Sequence, residues 1–296
     1  MLSVLLNVIF PVFCCVMIGY GWGRSHHDFP ADFVTRMVTN VGAPCLIVAT
    51  INQSDLVWGD FLVLAKLSLA VMAGFALLGF VVFKALKMDF RPLSLAVIFP
   101  NTGNMGLSLC LFAFGEEGLA AALIIFVVIS LVHFTCGDFI LLRGVSLSQR
   151  LLNILRQPIF IASIFAMVQV WAGFELAPAI ALTTELIGGV TIPLMLFALG
   201  VSLASIHSSQ WGKGVLISVL RVPGGMLVAL AVIFIFDVEG VAAKVLLLQS
   251  LMPSAVFNHF FALKYNSEVE AVASGVVLST VMAFFLLPPV LLYLLR

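Results

Sequence analysis

The stretch FPNTGNMGLSL, from Phe99 to Leu109, interrupts an apolar segment with a proline whose next six residues include three polar side chains and two glycines. Largely apolar residues flank the stretch on both sides. Proline has no N–H with which to continue a helix, and its ring displaces the carbonyl four residues earlier. The stretch therefore predicts a helix that breaks at Pro100, and the composition of the chain indicates where that helix lies.

That composition is typical of a membrane protein. Of the 296 residues, 62% are hydrophobic and 9% are charged, whereas soluble domains carry about 25% charged residues. A transmembrane helix needs about 20 mostly apolar residues, and ten stretches qualify. We predict an all-α integral membrane protein with ten transmembrane helices, numbered here as spans 1 to 10, at residues 2–22, 33–51, 61–83, 92–113, 118–142, 157–173, 178–203, 213–236, 241–262 and 269–295.

Charge and cysteine usage exclude several classes of function. The 14 basic and 14 acidic side chains cancel, so we expect the lipid bilayer and no nucleic acid as a partner. The five cysteines lie in apolar stretches without CxxC spacing, so we expect neither a metal site nor a cofactor. An enzyme would need a catalytic set such as HExxH or paired acids in mid-membrane. The sequence shows neither, and it shows no sizeable soluble domain of the kind that a receptor carries.

The loops between spans differ in charge, which predicts the orientation of the chain. Cytoplasmic loops of membrane proteins carry the excess of lysine and arginine. On one side the basic residues collect, namely Arg24, Lys84, Lys87, Arg91, Arg143, Arg150, Arg156, Lys213 and Lys264. On the other side the acids collect, namely Asp55, Asp60, Glu116, Glu117, Glu175, Asp237 and Glu239. We predict a multi-pass protein of the cell (inner) membrane, with both termini extracytoplasmic and residues 143–156 as a cytoplasmic connector.

Several residues of the first half recur about 150 residues later, which suggests an internal repeat. The matched pairs are Asn7 with Asn153, Pro11 with Pro158, Pro44 with Pro193 and Pro100 with Pro253. Each half has five spans, and two halves with an odd number of spans must enter the membrane from opposite sides. We therefore predict a 5+5 inverted repeat, with residues 1–142 as the first five-helix repeat and residues 157–296 as the second.

Inverted repeats of this kind hold their substrate near the midplane, where corresponding helices are broken. We expect spans 4 and 9 to break at Pro100 and Pro253 and to provide a site for a small organic anion. Free backbone amides, the positive end of a half-helix and side-chain amides can hold an anion without a lysine. The candidate substrate-binding residues are Pro100, Asn101, Thr102, Gly103, Asn104, Gln249, Pro253, Ser254 and Asn258. An alternative stays open, in which the asparagines only form hydrogen bonds between helices.

The same residues suggest a family. FPNTGNMGLSL resembles the Asn-Thr-Gly-Asn-x-Gly signature of the auxin efflux carriers, a family that includes bacterial permeases assigned to malate and malonate. MPSAVFNHFFALKYNSEVEAVASGVVLSTVM, from Met252 to Met282, is similar to the span 9 to span 10 segment of that family. The resemblance implies a secondary transporter that works by alternating access and holds a carboxylate where spans 4 and 9 cross. It also implies a scaffold of spans 1, 2, 6 and 7 and a transport domain of spans 3–5 and 8–10.

A runner-up function uses the same plan. A sodium- or proton-coupled antiporter, or a bile-acid-type symporter, would place cation ligands at the crossing, where this sequence has amides. We expect Arg221 and Asp138 to form a structural pair and His133 and His259 to bond between helices. The identity of the substrate, the direction of transport and the oligomeric state stay open, with a homodimer as the candidate assembly.

Overall fold

The computed structural model describes residues 2–25, 28–53, 58–141, 155–205 and 210–295. These residues are almost entirely helical and contain no β-strand. Five of their helices are long and apolar enough to cross a membrane: Gly59–Ala85, Met105–His133, Pro178–Val201, Trp211–Phe236 and Val269–Leu294. The prediction of an all-α protein is therefore confirmed for the described part of the chain. Of the predicted connector, residues 143–154 lie outside it.

The first part of the chain forms six α-helices. They are α1 (Leu2–Arg24), α2 (Ala31–Met37), α3 (Ala43–Gln53), α4 (Trp58–Ala85), α5 (Ser94–Ile98) and α6 (Ser108–Leu141). A short 3-10 turn precedes α5, and a π-helix, Thr102–Leu107, runs directly into α6. Helix α6 consists of two helical parts that meet at Gly115 (φ 67°, ψ −157°), a backbone conformation that glycine adopts at little cost. That residue lies at the predicted junction of spans 4 and 5.

The second part forms eight α-helices. They are α7 (Pro158–Ala172), α8 (Pro178–Gly189), α9 (Thr191–Ser205), α10 (Trp211–Arg221), α11 (Pro223–Phe236), α12 (Gly240–Ser250), α13 (Val256–Tyr265) and α14 (Val269–Leu294). Proline starts α7, α8 and α11, because the first helical residue needs no N–H partner. In the interior of a helix, proline has the opposite effect and breaks the helix. Spans 4 and 9 show this at Pro100 and Pro253.

The α-helices of spans 2 and 7 are both interrupted a few residues before a proline. A π-helix, Val38–Gly42, joins α2 to α3 just before Pro44. Helices α8 and α9 meet at Val190, just before Pro193. Proline removes one backbone donor in a helix interior, so the preceding turn is rearranged rather than continued.

Close helix packing surrounds the interior. Helix α1 packs against α9, and α3 packs against α7 and α8. A Cβ atom on Gly19 would lie 2.1 Å from the carbonyl oxygen of Phe197, and one on Gly200 would lie 2.0 Å from that of Val16. The backbones of α1 and α9 are therefore in direct contact, as small residues allow between membrane helices. All of α5 and the second half of α12 are buried, and the broken segments follow directly after them.

Candidate functional site

Spans 4 and 9 break at their prolines and cross. Helix α5 ends at Ile98 and α12 ends at Ser250, and short extended segments follow both. The N–H of Asn101 donates to the carbonyl of Pro253 (2.7 Å), and the N–H of Ala255 donates to that of Phe99 (3.1 Å). These two bonds form an antiparallel bridge between Pro100 and Ser254. The predicted breaks at both prolines are confirmed.

The crossing uses most of the backbone donors that the breaks expose. The N–H groups of Asn101 and Ala255 bond across it, and the N–H of Ser254 donates to the hydroxyl of Ser279 (3.0 Å). The next donors along span 4 are the N–H groups of Thr102 and Gly103, at the start of the π-helix. The first turn of a helix leaves such groups without a partner within the helix. We therefore take these two amides as the backbone candidates for contact with a ligand.

Asn258 and Ser254 connect the two broken segments. The Asn258 side chain is 1% exposed. Its Nδ2 donates to the carbonyl of Phe99 (3.0 Å) and to the hydroxyl of Ser254 (2.9 Å). Both predicted site residues therefore lie at the crossing, where their hydrogen bonds hold spans 4 and 9 together.

Arg221 donates hydrogen bonds to the carbonyls that the breaks expose. Its side chain is fully buried, and the guanidinium donates to four backbone carbonyls at the ends of α5 and α12, those of Val97 (2.9 Å), Ile98 (3.3 Å), Ser250 (2.7 Å) and Met252 (3.0 Å). We expected a pair with Asp138, whose side chain lies outside the described part. The described bonds of Arg221 go to main chain instead, because two helix ends need donors there.

A cavity lies on the other side of the crossing, where the next half-helices begin. Its volume is about 100 Å³, and one water needs about 10–15 Å³ of such space. Residues of the crossing and of the helices around it line the cavity, including Pro100, Asn101, Thr102, Gly103, Ala255, Val34, Val38, Phe126, Ile129 and Met195. The cavity has room for several waters or for a small organic acid.

Asn101 presents an unused donor beside this cavity. Its side chain is 5% exposed, and its Nδ2 has no hydrogen-bond partner among the described residues. A buried amide without a partner costs about 1–3 kcal/mol, so the position favours a ligand that accepts a hydrogen bond. The side chain of Asn104, the second predicted amide, lies outside the described part of the chain.

Gln249 and Pro253 do not line the cavity. Gln249 is 1% exposed and borders a separate space of about 10 Å³ behind the crossing, together with Ser68 and Ser250. A Cβ atom on Gly106 would lie 2.1 Å from Oε1 of Gln249. The close neighbour of Gly106 is therefore a side-chain amide.

Some lining residues gave no clear signal in the sequence. Thr39 of the span 2 π-helix and Ser130 of α6 both border the cavity, and a single hydroxyl in an apolar helix is unremarkable. His133 borders it as well and stacks on Phe99, with ring centroids 4.1 Å apart. His133 thus contacts the crossing directly through its ring, and the hydrogen bond between helices that we expected of it stays a prediction.

Comparison with known proteins identifies the family. A family model described as membrane transport protein matches residues 4–293. The chain belongs to this family of membrane transport proteins. The match confirms the resemblance to the auxin efflux carriers, whereas a likeness to malate and malonate permeases stays a prediction.

Two archaeal relatives of this membrane transport protein are similar over most of their length. An uncharacterized transporter of Methanocaldococcus jannaschii is 26% identical over 295 residues, which cover 93% of this chain and 94% of the relative. An uncharacterized transporter of Methanothermobacter thermautotrophicus is 25% identical over 268 residues, 87% of each chain. Family and relatives are transporters rather than enzymes.

Proposed function

We propose that this protein is a secondary transporter that carries a small carboxylate across the cell membrane by alternating access. The observation that carries the proposal is the buried Nδ2 of Asn101, which lines the cavity at the crossing and has no partner among the described residues. Removing an unpartnered polar group from water is costly. A ligand oxygen that accepts from this amide would recover that cost.

The chemistry of the cavity suits an anion that must bind and leave. Asn101 and Thr102 offer side-chain donors, and the N–H groups of Thr102 and Gly103 lie at the positive end of a half-helix. Anions bind readily at such ends. Phe126 and Met195 add apolar surface, which suits a short carbon skeleton. Neutral donors hold a carboxylate less strongly than a buried cation beside it would, so the anion can be released in each cycle.

The packing of the helices supports the proposed 5+5 inverted repeat of ten spans. If span 1 corresponds to span 6 and span 2 to span 7, a contact between spans 1 and 7 requires one between spans 6 and 2. Both contacts occur. Helix α1 of span 1 packs against α9 of span 7, and α7 of span 6 packs against α3 of span 2. The interruptions just before Pro44 and Pro193 and the breaks at Pro100 and Pro253 also correspond. We accordingly retain residues 1–142 and 157–296 as the two repeats.

The position of the cavity supports the proposed mechanism. Spans 2 and 7, of the proposed scaffold, contribute Val38 and Met195, whereas spans 4 and 9, of the proposed transport domain, contribute Asn101 and Ala255. A ligand held there lies at the boundary between the two groups of helices. Movement of one group against the other would expose it to either side of the membrane.

Exchange across a vesicle membrane tests the proposal. Proteoliposomes of the purified protein would be loaded with one unlabelled acid, such as malate, malonate, succinate or acetate, and placed in a trace of the labelled acid. We expect accelerated exchange for at least one of these acids and a weaker response in Asn101→Ala. Gln53→Ala is the control, because it removes an exposed amide at the end of α3. The proposal is wrong if the protein exchanges none of a broad set of small carboxylates.

A further inference from the structure

Arg221 is the buried cation of the crossing. It is the last residue of α10 and has no exposed surface. The guanidinium bridges the two broken helices, since it donates to Val97 and Ile98 of α5 and to Ser250 and Met252 around the end of α12. The ring of Phe75 covers one face of the guanidinium at 3.5 Å. The cation is therefore enclosed by protein.

The carbonyls that bind Arg221 are those to which a transported cation would be expected to bind. A helix leaves its last carbonyls without partners within the helix, and these carbonyls carry the negative end of the helix dipole. In carriers with broken helices, unwound carbonyls and half-helix C-termini coordinate sodium or a proton. In this protein a planar group with five N–H donors lies among them.

The neighbouring carbonyls are also occupied. The carbonyl of Phe99 accepts from the N–H of Ala255 and from Nδ2 of Asn258, and the carbonyl of Pro253 accepts from the N–H of Asn101. Together with the carbonyls that bind Arg221, six oxygens at the ends of the two helices have a donor. A sodium ion would have to displace these donors and approach the positive charge of Arg221.

We propose that Arg221 is a built-in substitute for a coupling cation: its guanidinium fills the place between the two broken helices that sodium would otherwise take. This inference rests on the proposed function. It makes Arg221 a positioning residue, because Ile98, which it holds, lies three residues before Asn101. With that place already filled, transport does not draw on a sodium gradient.

Ion replacement in the proteoliposomes tests the first consequence. Exchange of the carboxylate by the unaltered protein is measured in sodium and in N-methylglucamine at equal ionic strength. We expect equal rates. Exchange that stops without sodium overturns the inference while leaving the proposed function intact. The absence of any exchange in either buffer counts against the proposed function itself, and the inference is then tested by the melting experiment below.

Chemical rescue tests the second consequence. Arg221→Ala should lose more than about tenfold in exchange rate, and millimolar guanidinium should restore exchange in a saturable way and raise the melting temperature by mass action. Urea has the same shape without the charge and should do neither. Arg221→Lys should be intermediate, because one ammonium lacks the planar fork that reaches both helices. Arg156→Ala removes an exposed arginine and should not respond to guanidinium.

Several results would overturn this role. One is an Arg221→Ala protein that exchanges at the normal rate. Another is equal rescue by urea and guanidinium, which would show that the side chain fills space without acting as a cation. If Arg221→Ala does not fold, Arg221→Lys carries the test. Normal exchange and stability in Arg221→Lys would show that the bridge between the two helices is dispensable.

Discussion

Replacing Asn101 by alanine separates a ligand-binding amide from a structural one. The variant removes a side chain that is 5% exposed and whose Nδ2 has no partner among the described residues. It keeps the backbone N–H that bonds to Pro253 (2.7 Å), so the crossing retains its main-chain bridge. The free energy of unfolding without ligand should therefore not fall much, because relief of the unpartnered amide offsets the packing that truncation removes. Affinity for the carboxylate should fall, because a hydrogen bond to a charged ligand contributes about 1.5–3 kcal/mol.

That free energy corresponds to a loss of affinity of roughly tenfold to a hundredfold. The chain provides its own comparison in Asn258, an equally buried amide whose Nδ2 makes two hydrogen bonds within the crossing. Asn258→Ala should lower the free energy of unfolding by about 1–3 kcal/mol, the sum of two ordinary hydrogen bonds. Asn101→Ala should thus mainly lower the affinity for the carboxylate, whereas Asn258→Ala should mainly lower the free energy of unfolding.

The assay is thermal melting and calorimetric titration of the same purified samples, with the acid that gives the largest stabilisation in a melting screen. A ligand that binds only the folded protein raises its stability by mass action. Unchanged affinity in a correctly folded Asn101→Ala would refute the site. So would a loss of stability without ligand as large as that of Asn258→Ala, since it would show that Asn101 is structural.

Three further predictions concern the fold. Gly106→Ala should destabilise the protein by about 1–3 kcal/mol through overpacking, because its Cβ would lie 2.1 Å from Oε1 of Gln249; a melting experiment should show most of that loss recovered when Gln249→Ala is added. Gly200→Ala should force α1 away from α9, since its Cβ would lie 2.0 Å from the carbonyl oxygen of Val16. The melting temperature of the detergent-solubilised protein should therefore fall. Gly212→Ala is the control and should leave the melting temperature unchanged, because nothing lies within 4 Å of its Cβ. Cysteines placed singly at the two termini should react with an impermeant reagent from outside the cell, and one in residues 143–156 should not; the reverse pattern would contradict the predicted orientation.

The sequence was sufficient to predict the breaks in the helices. Pro100 and Pro253 each remove a donor from the interior of an apolar helix, and that effect depends on local chemistry alone. The polar residues after Pro100 were predicted as site residues, and two of them, Asn101 and Thr102, line a cavity at the crossing. Local rules therefore placed the broken helices and the first candidate ligand groups.

The partners of those groups could not be predicted in the same way. The exposed amides were expected to remain open, but two extended segments that cross can pair with each other, and Asn101 and Ala255 do so. Gln249 was expected at the site, yet it belongs to the half of span 9 before the break and borders the separate space behind the crossing. Arg221 bonds to carbonyls more than 100 residues away in the sequence, at Val97 and Ile98. No local pattern identifies such acceptors.

The central claim, a carboxylate site at the crossing of the two broken helices, is tested most directly by an experimental density map of the protein with the acid that stabilises it most. We predict density for the carboxylate within hydrogen-bond distance of Nδ2 of Asn101 and of the first amides of the π-helix at Thr102 and Gly103. Density for the acid elsewhere would contradict the claim, for instance in the groove near Lys84 and Arg91. So would an empty cavity at the crossing in a protein saturated with that acid.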